Sequence, residues 1–281
     1  MIKVNDTEIK IEHYPDGTPR INVDTLQIGL YGTENHAVCI KWIYENDAEL
    51  FYLMMIKKHF EAFYHHKYRF VLQMSYVPNA RMDRVKTNDE IFTLKYFCEF
   101  INWLNFDDVY ILDPHSNVVS ALLNNCWQDE IRGLVHYVIA DIEKDNSEVV
   151  LYFPDAGAAK RYAELFPKYQ YCYGEKKRDW KTGKISGLEI KNNGIDLQDK
   201  TILMIDDIIS YGGSLYYSAK TLKECGTGEI YSYATHTENS ILDREKGTLI
   251  KSLEDGTVTR LYTTDSLFTG THEKITVMEV D

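Results

Sequence analysis

TILMIDDIISYGGS, residues 201–214, holds an apolar run, two adjacent acids and a glycine turn in one stretch. The run 201–205 is short, rich in branched side chains and bounded by polar residues, which predicts a buried strand. The residues from Ser214 onward follow a helical period to about Cys225. A strand, a turn and a helix in this order belong to a sheet of parallel strands, where ligands bind beyond the carboxyl ends of the strands. Asp206 and Asp207 then stand at the ligand-facing edge, where carboxylates accept from sugar hydroxyls directly or through a divalent cation. The N–H groups of Tyr211, Gly212, Gly213 and Ser214 open a helix, and such groups cradle phosphate. The plainer alternative is a strand-turn-helix corner capped by Ser214, but it leaves the paired acids without a purpose.

The rest of the chain repeats the alternation. Apolar runs at 70–74, 109–112, 149–153 and 230–234 predict further strands, and periodic segments at 48–64, 89–105 and 158–166 predict helices. The fold class is therefore α/β, mostly parallel sheets flanked by helices. The polar stretch DIEKDNSE, 141–148, interrupts the pattern just before a new strand and places a domain boundary there, giving domains 1–145 and 146–281. A chain of 281 residues with 44% hydrophobic and 26% charged content supports two such cores. Its net charge of −12 excludes a broad nucleic-acid footprint. No apolar run reaches the roughly 18 residues of a membrane span, and the first residues do not read as a leader, so a cytoplasmic location is expected. Five scattered cysteines form no CxxC pair, which points to reduced thiols rather than a disulfide or zinc framework.

Other residues at strand ends carry chemistry. In SYVPNARMDRV (75–85), Arg81 and Arg84 flank Asp83, and an arginine fork grips two phosphate oxygens at once, although the same spacing also makes surface ion pairs. In ILDPHSN (111–117), a carboxylate at Asp113 precedes His115, an imidazole able to orient a phosphate or a cation-bound water. In FPDAGAAKRYAE (153–164), Asp155 is placed to cap a helix or to accept from a sugar, and Gly157 lets the backbone come close. YGEKKRDWKTGKISGLEI (173–190) is the densest basic stretch; Lys176 and Arg178 there neutralise developing charge if the segment closes over a ligand, or form a solvated hairpin if it does not.

Together these segments resemble one family. The 201–214 stretch is similar to the phosphoribosyl-binding signature shared by type I phosphoribosyltransferases and phosphoribosyl pyrophosphate synthetases. The 75–85, 111–117, 153–164 and 173–190 segments match the synthetases in the same order, with Met82 in place of their Gln. HYPDGTPRI (13–21) resembles their adenine-contacting segment, with Thr18 in place of Glu, and 43–56 resembles one of their helices. The resemblance implies two tandem type I phosphoribosyltransferase-like domains, the first with the ATP-binding segments and the second with the ribose-phosphate loop and catalytic loop. It implies a Mg²⁺-dependent pyrophosphokinase that moves the β,γ-diphosphate of ATP onto the anomeric hydroxyl of a ribose 5-phosphoryl molecule. Carried over residue by residue, His115, Lys176 and Arg178 are catalytic. Tyr14, Asp16, Arg81, Asp83 and Arg84 bind ATP, and Asp155, Asp206, Asp207, Ser210, Tyr211, Gly212, Gly213 and Ser214 bind ribose and phosphate. Asp113, His115 and Asp155 attend the metal. The resemblance also implies a homo-oligomer.

One departure bears on the acceptor. After the paired acids the synthetases commonly carry Asp-Thr-x-Gly-Thr, whereas this chain has Ser210 in place of the acid and an aromatic Tyr211. That suits a 5′-diphosphate ester, and phage-encoded relatives pyrophosphorylate ADP-ribose in rebuilding NAD, so ADP-ribose stands beside ribose 5-phosphate as acceptor. A phosphoribosyltransferase and a non-catalytic synthetase-associated subunit are the readings from other classes.

Overall fold

In a computed structural model of the chain, the described residues are 1–24, 37–63, 68–144, 148–175 and 187–280, with the backbone also described at 64, 176–178 and 185–186. They form two compact units, Met1–Glu130 and Ile131–Asp281.

The first unit contains β1 (Ile2–Val4), β2 (Thr7–Glu8), β3 (Ile11–His13), β4 (Pro19–Ile21), β5 (Ala37–Trp42), α1 (Glu49–Tyr64), β6 (Arg69–Met74), α2 (Thr93–Leu104), β7 (Asp108–Leu112), α3 (Val118–Leu122) and β8 (Cys126–Asp129). Its main sheet runs β2-β1-β5-β6-β7-β8, parallel from β5 to β8 with β1 antiparallel at one side, and β3 and β4 pair as a separate hairpin. Phe70, Leu72 and Met74 alternate into the core along β6, meeting Leu53, Ile56 and Phe60 of α1 and Leu94, Cys98 and Ile101 of α2. The buried Glu49 is satisfied by the Met1 amine, by Trp42 Nε1 at 2.9 Å and by the Glu45 N–H at 2.8 Å. Such pairing is what makes a buried carboxylate tolerable. Helix α2 begins at Thr93, later than the expected 89, because Lys86 N–H bonds Glu90 Oε2 at 2.6 Å and closes a turn there.

The second unit contains α4 (Arg132–Ile142), β9 (Val149–Phe153), α5 (Ala156–Tyr162), β10 (Tyr171–Arg178), β11 (Ile185–Lys191), β12 (Thr201–Ile209), α6 (Gly213–Glu224), β13 (Ile230–Thr237), α7 (Leu249–Glu254), β14 (Arg260–Thr264) and β15 (Ile275–Met278). Its sheet runs β11-β10-β9-β12-β13-β14-β15, parallel except for the β10–β11 hairpin. Strand β9 is buried at every residue, as a central parallel strand covered on both faces must be.

The unit boundary falls after Glu130, not near 145. Helix α4 belongs to the second unit because Asp141 Oδ2 accepts from the Tyr262 hydroxyl at 2.8 Å and His136 packs edge-on against Phe166. The first two residues of the polar stretch, Asp141 and Ile142, are the end of α4 and lie inside the second unit.

Candidate active site

Strand β12 runs four residues beyond its expected end, to Ile209, and so carries both acids within the ladder. Its pairing with β9 is recorded only as far as Met204 opposite Tyr152, while β13 accompanies it to Ile209 opposite Thr237. The sheet edge therefore has a step, and Asp206 sits in it. Successive side chains on a strand face opposite ways, which makes the two acids unequal. Asp207 is buried and ion-paired to Arg161 of α5 at 3.1 Å, and its Oδ1 accepts from the Ile208 N–H at 2.8 Å. Asp206 lies on the face of Tyr152, whose hydroxyl is 2.7 Å from Ser218 Oγ on α6. Burial, and then the charge of Asp207 beside it, pushes the Asp206 carboxyl well above the ordinary aspartate range. Burial likewise raises the Tyr152 hydroxyl, with Asp206 and Asp155 both adding to the rise, so these two carboxylates bear on one point.

The turn 210–212 hands the chain from β12 to α6. Gly212 has φ +80, and a Cβ there would lie 2.3 Å from Leu249 Cβ. Only glycine meets both conditions. The Tyr211 carbonyl faces the segment before α7, accepting from Thr248 N–H and Thr248 Oγ1, each at 2.8 Å. That leaves the N–H groups of Gly213, Ser214 and Leu215 at the opening of α6 without a backbone acceptor among the described residues. These are the orphan donors of a helix start, and with the helix dipole behind them they suit an anion. Tyr211 is 39% exposed, and Lys246 Nζ lies 6.0 Å from its ring centroid.

Asp155 follows β9 and caps α5, its Oδ1 accepting from the Ala158 N–H at 2.9 Å. Next to β9, β10 passes so closely that a Cβ on Gly174 would meet Tyr152 Oη at 2.5 Å. Lys176 and Arg178 lie on β10, opposite Leu188 and Ile185 of β11. Their side chains, with residues 179–184, fall outside the described residues.

In the first unit Arg81, Asp83 and Arg84 come after β6, and Asp113 and His115 come after the adjacent parallel strand β7. Arg81 and Arg84 are exposed, and Arg84 Nε lies 3.3 Å from the half-buried Asp83. Asp113 is buried and holds φ +39, an unusual conformation for a residue with a Cβ, while His115 is exposed. Tyr14 and Asp16 form the tip of the β3–β4 hairpin, where Asp16 accepts from the Thr18 N–H at 2.9 Å and that bond holds its carboxyl below the usual range.

Among the described residues no cluster of three or more His, Cys, Asp or Glu side chains is arranged to hold a metal. Mg²⁺ needs no such cage, since it keeps several waters and is commonly held by one or two carboxylates and the substrate's phosphates. Asp155, an exposed hard oxygen donor after β9, fits this form. Also among the described residues, no helix is long and apolar enough to cross a membrane.

Sequence reading did not single out Arg161, Lys246, Thr248 or Glu238 around this site. Each reaches it across the sheet or from a later loop, and only the parallel register could have signalled the approach.

No protein-family model matches the chain. A ribose-phosphate pyrophosphokinase of Pyrococcus abyssi is 28% identical over 243 residues, 83% of this chain and 77% of that one. A ribose-phosphate pyrophosphokinase of Pyrococcus furiosus is 26% identical over 237 residues, 82% of this chain and 78% of that one. The crystal structure of phosphoribosylpyrophosphate synthetase from Mycobacterium smegmatis superposes with a TM-score of 0.70 at 16% identity, covering 97% of this chain and 86% of that one. The fold is accordingly a tandem of two phosphoribosyltransferase-like α/β domains. Across both units the chain is thus similar in sequence to ribose-phosphate pyrophosphokinases, and it shares the fold of phosphoribosylpyrophosphate synthetase.

Proposed function

We propose that the protein transfers the β,γ-diphosphate of Mg-ATP to the anomeric hydroxyl of a ribose 5-phosphoryl acceptor and releases AMP. The observation that carries this reading is the turn after β12, where N–H groups at the start of α6, with no backbone acceptor among the described residues, lie just beyond a carboxylate set in the step of the sheet. In this reading Ser210, Tyr211, Gly212, Gly213 and Ser214 hold the acceptor's 5′-phosphate. Asp206 and Asp155 accept from its ring hydroxyls, and Asp207, anchored by Arg161, fixes the strand end. Arg81, Asp83, Arg84, Tyr14 and Asp16 take the nucleotide. His115, Lys176 and Arg178 stabilise charge on the transferred group, so the protein contributes positioning and electrostatics rather than a covalent intermediate. Mg²⁺ would neutralise the triphosphate, and Asp113, His115 and Asp155 are the residues that the resemblance to the synthetases assigns to it. Self-association and a cytoplasmic location complete the proposal.

Ribose 5-phosphate is the first acceptor, as the names of the relatives indicate. ADP-ribose is favoured by one feature, the exposed Tyr211 ring with Lys246 nearby. An aromatic face beside a cation suits the second phosphate and base of a diphosphate ester. The test is AMP release from Mg-ATP with each acceptor separately, with the sugar product followed by mass. Product with ribose 5-phosphate alone rejects the ADP-ribose reading, and AMP with neither rejects the activity.

A further inference from the structure

Strands β12 and β13 run in parallel with Ile209 opposite Thr237, and the pairing continues one step further as Glu238 N–H donates to Ile209 O at 2.8 Å. This register sets residue 238 beside residue 210, the first residue of the phosphate turn. The Ser210 hydroxyl donates to Glu238 Oε2 at 2.7 Å, the Ser240 hydroxyl donates to the same oxygen at 3.0 Å, and the two hydroxyls lie 3.2 Å apart. All three residues are half-buried. A carboxyl group is thus held in one place by two short side chains at the entrance of the turn.

A turn whose whole task was to bind an anion would gain nothing from a carboxylate there, because like charge works against phosphate. A carboxylate in that position suits the other half of a sugar phosphate, its hydroxyls or the water of a cation bound to it, which need an acceptor. Position 210 carries serine, and the carboxylate beside the turn is delivered from the end of the neighbouring strand. We propose that Glu238 is an acceptor-binding residue that supplies the carboxylate of the phosphate turn from the end of β13. The assay for this rests on the pyrophosphokinase reading above, but the binding measurement does not.

The experiment uses the full chain with three variants, Glu238→Gln, Ser210→Asp and the double variant S210D/E238Q. Glu238→Gln keeps the size of the side chain and removes its charge. It lowers kcat/KM for the acceptor by about tenfold or more, the usual effect of losing a hydrogen bond to a charged group, and leaves the KM for ATP within about twofold. Ser210→Asp sets a second acid against Glu238 and also lowers acceptor kcat/KM. The double variant moves the acid from β13 to the turn and restores acceptor kcat/KM to within about threefold of the parent. A purely structural role would not produce rescue by relocation. The proposal is overturned if Glu238→Gln leaves the acceptor unaffected, or if the double variant is no better than Glu238→Gln. Calorimetric binding of ribose 5-phosphate and of ADP-ribose with Mg²⁺ separates the two readings. If the parent binds an acceptor without forming AMP, and that binding follows the same loss and rescue, the pyrophosphokinase reading fails and Glu238 stands. Binding of neither overturns both.

Discussion

At the scale of single residues, the adjacent acids of β12 have opposite fates. The folded state holds the Asp206 proton more tightly than the unfolded chain does, because burial and Asp207 disfavour its charge. The contribution of this group to stability is therefore present below the ordinary aspartate pKa and is lost as pH rises through the raised folded value. Asp206→Asn removes that loss. It raises Tm near neutral pH, leaves it unchanged at about pH 3, and still lowers AMP formation, which thermal melts across pH together with the product assay will check. Asp207 differs in its partner, being ion-paired to Arg161 in a mostly buried pair. Arg161→Ala leaves that carboxylate without its counter-ion and costs about 3 kcal/mol in urea unfolding at neutral pH. Thiols follow burial too. Cys98 and Cys172 are buried, each pushed up to about 12, while Cys225 is exposed. An alkylating reagent counted by mass modifies Cys225 first and reaches Cys98 and Cys172 only on unfolding. The adjacency of Asp206 and Asp207 was legible in the sequence, but which acid is pinned and which faces Tyr152 was not, because Arg161 comes from another element.

At the scale of elements, two glycines set how closely neighbouring pieces approach. Gly212 combines φ +80 with a space already taken by Leu249. Gly212→Ala lowers stability by about 2 kcal/mol or more and raises the KM for the acceptor, because the turn must move its N–H groups to make room. Gly174→Ala would press a methyl against Tyr152 Oη and the Pro154 carbonyl, at 2.5 and 2.7 Å. It costs about 1–3 kcal/mol by overpacking, measurable by chemical denaturation. Periodicity predicted α1, β6, β7, β9 and α6 to within a residue or two, since each buries a strong apolar face. It understated β12, whose last residues include both acids. Polar residues at the end of a strand look like a loop until a parallel partner, here β13, supplies the ladder.

At the scale of the whole molecule, each unit holds its own core, and the boundary between them is a matter of packing rather than composition. Helix α4 buries Val135, Val138, Ile139 and Ile142 and is tied to Tyr262 through Asp141. Burying four aliphatic side chains is worth roughly 6 kcal/mol or more. A fragment beginning at Ile131 therefore unfolds cooperatively, whereas one beginning at residue 146 melts far lower or does not fold, as circular dichroism melts of the two will show. The sequence by itself determined the α/β class, the two-core organisation and the glycine turn that follows the paired acids. Those features rest on local periodicity, on turn chemistry and on residues adjacent in the chain. The tertiary structure alone decided that α4 joins the second unit, that Arg161 claims Asp207, that the 243–249 segment braces the turn, and that Glu238 comes to stand beside Ser210. Each of these pairs residues far apart in the chain, and their contacts follow from strand register and side-chain packing, which no local pattern encodes.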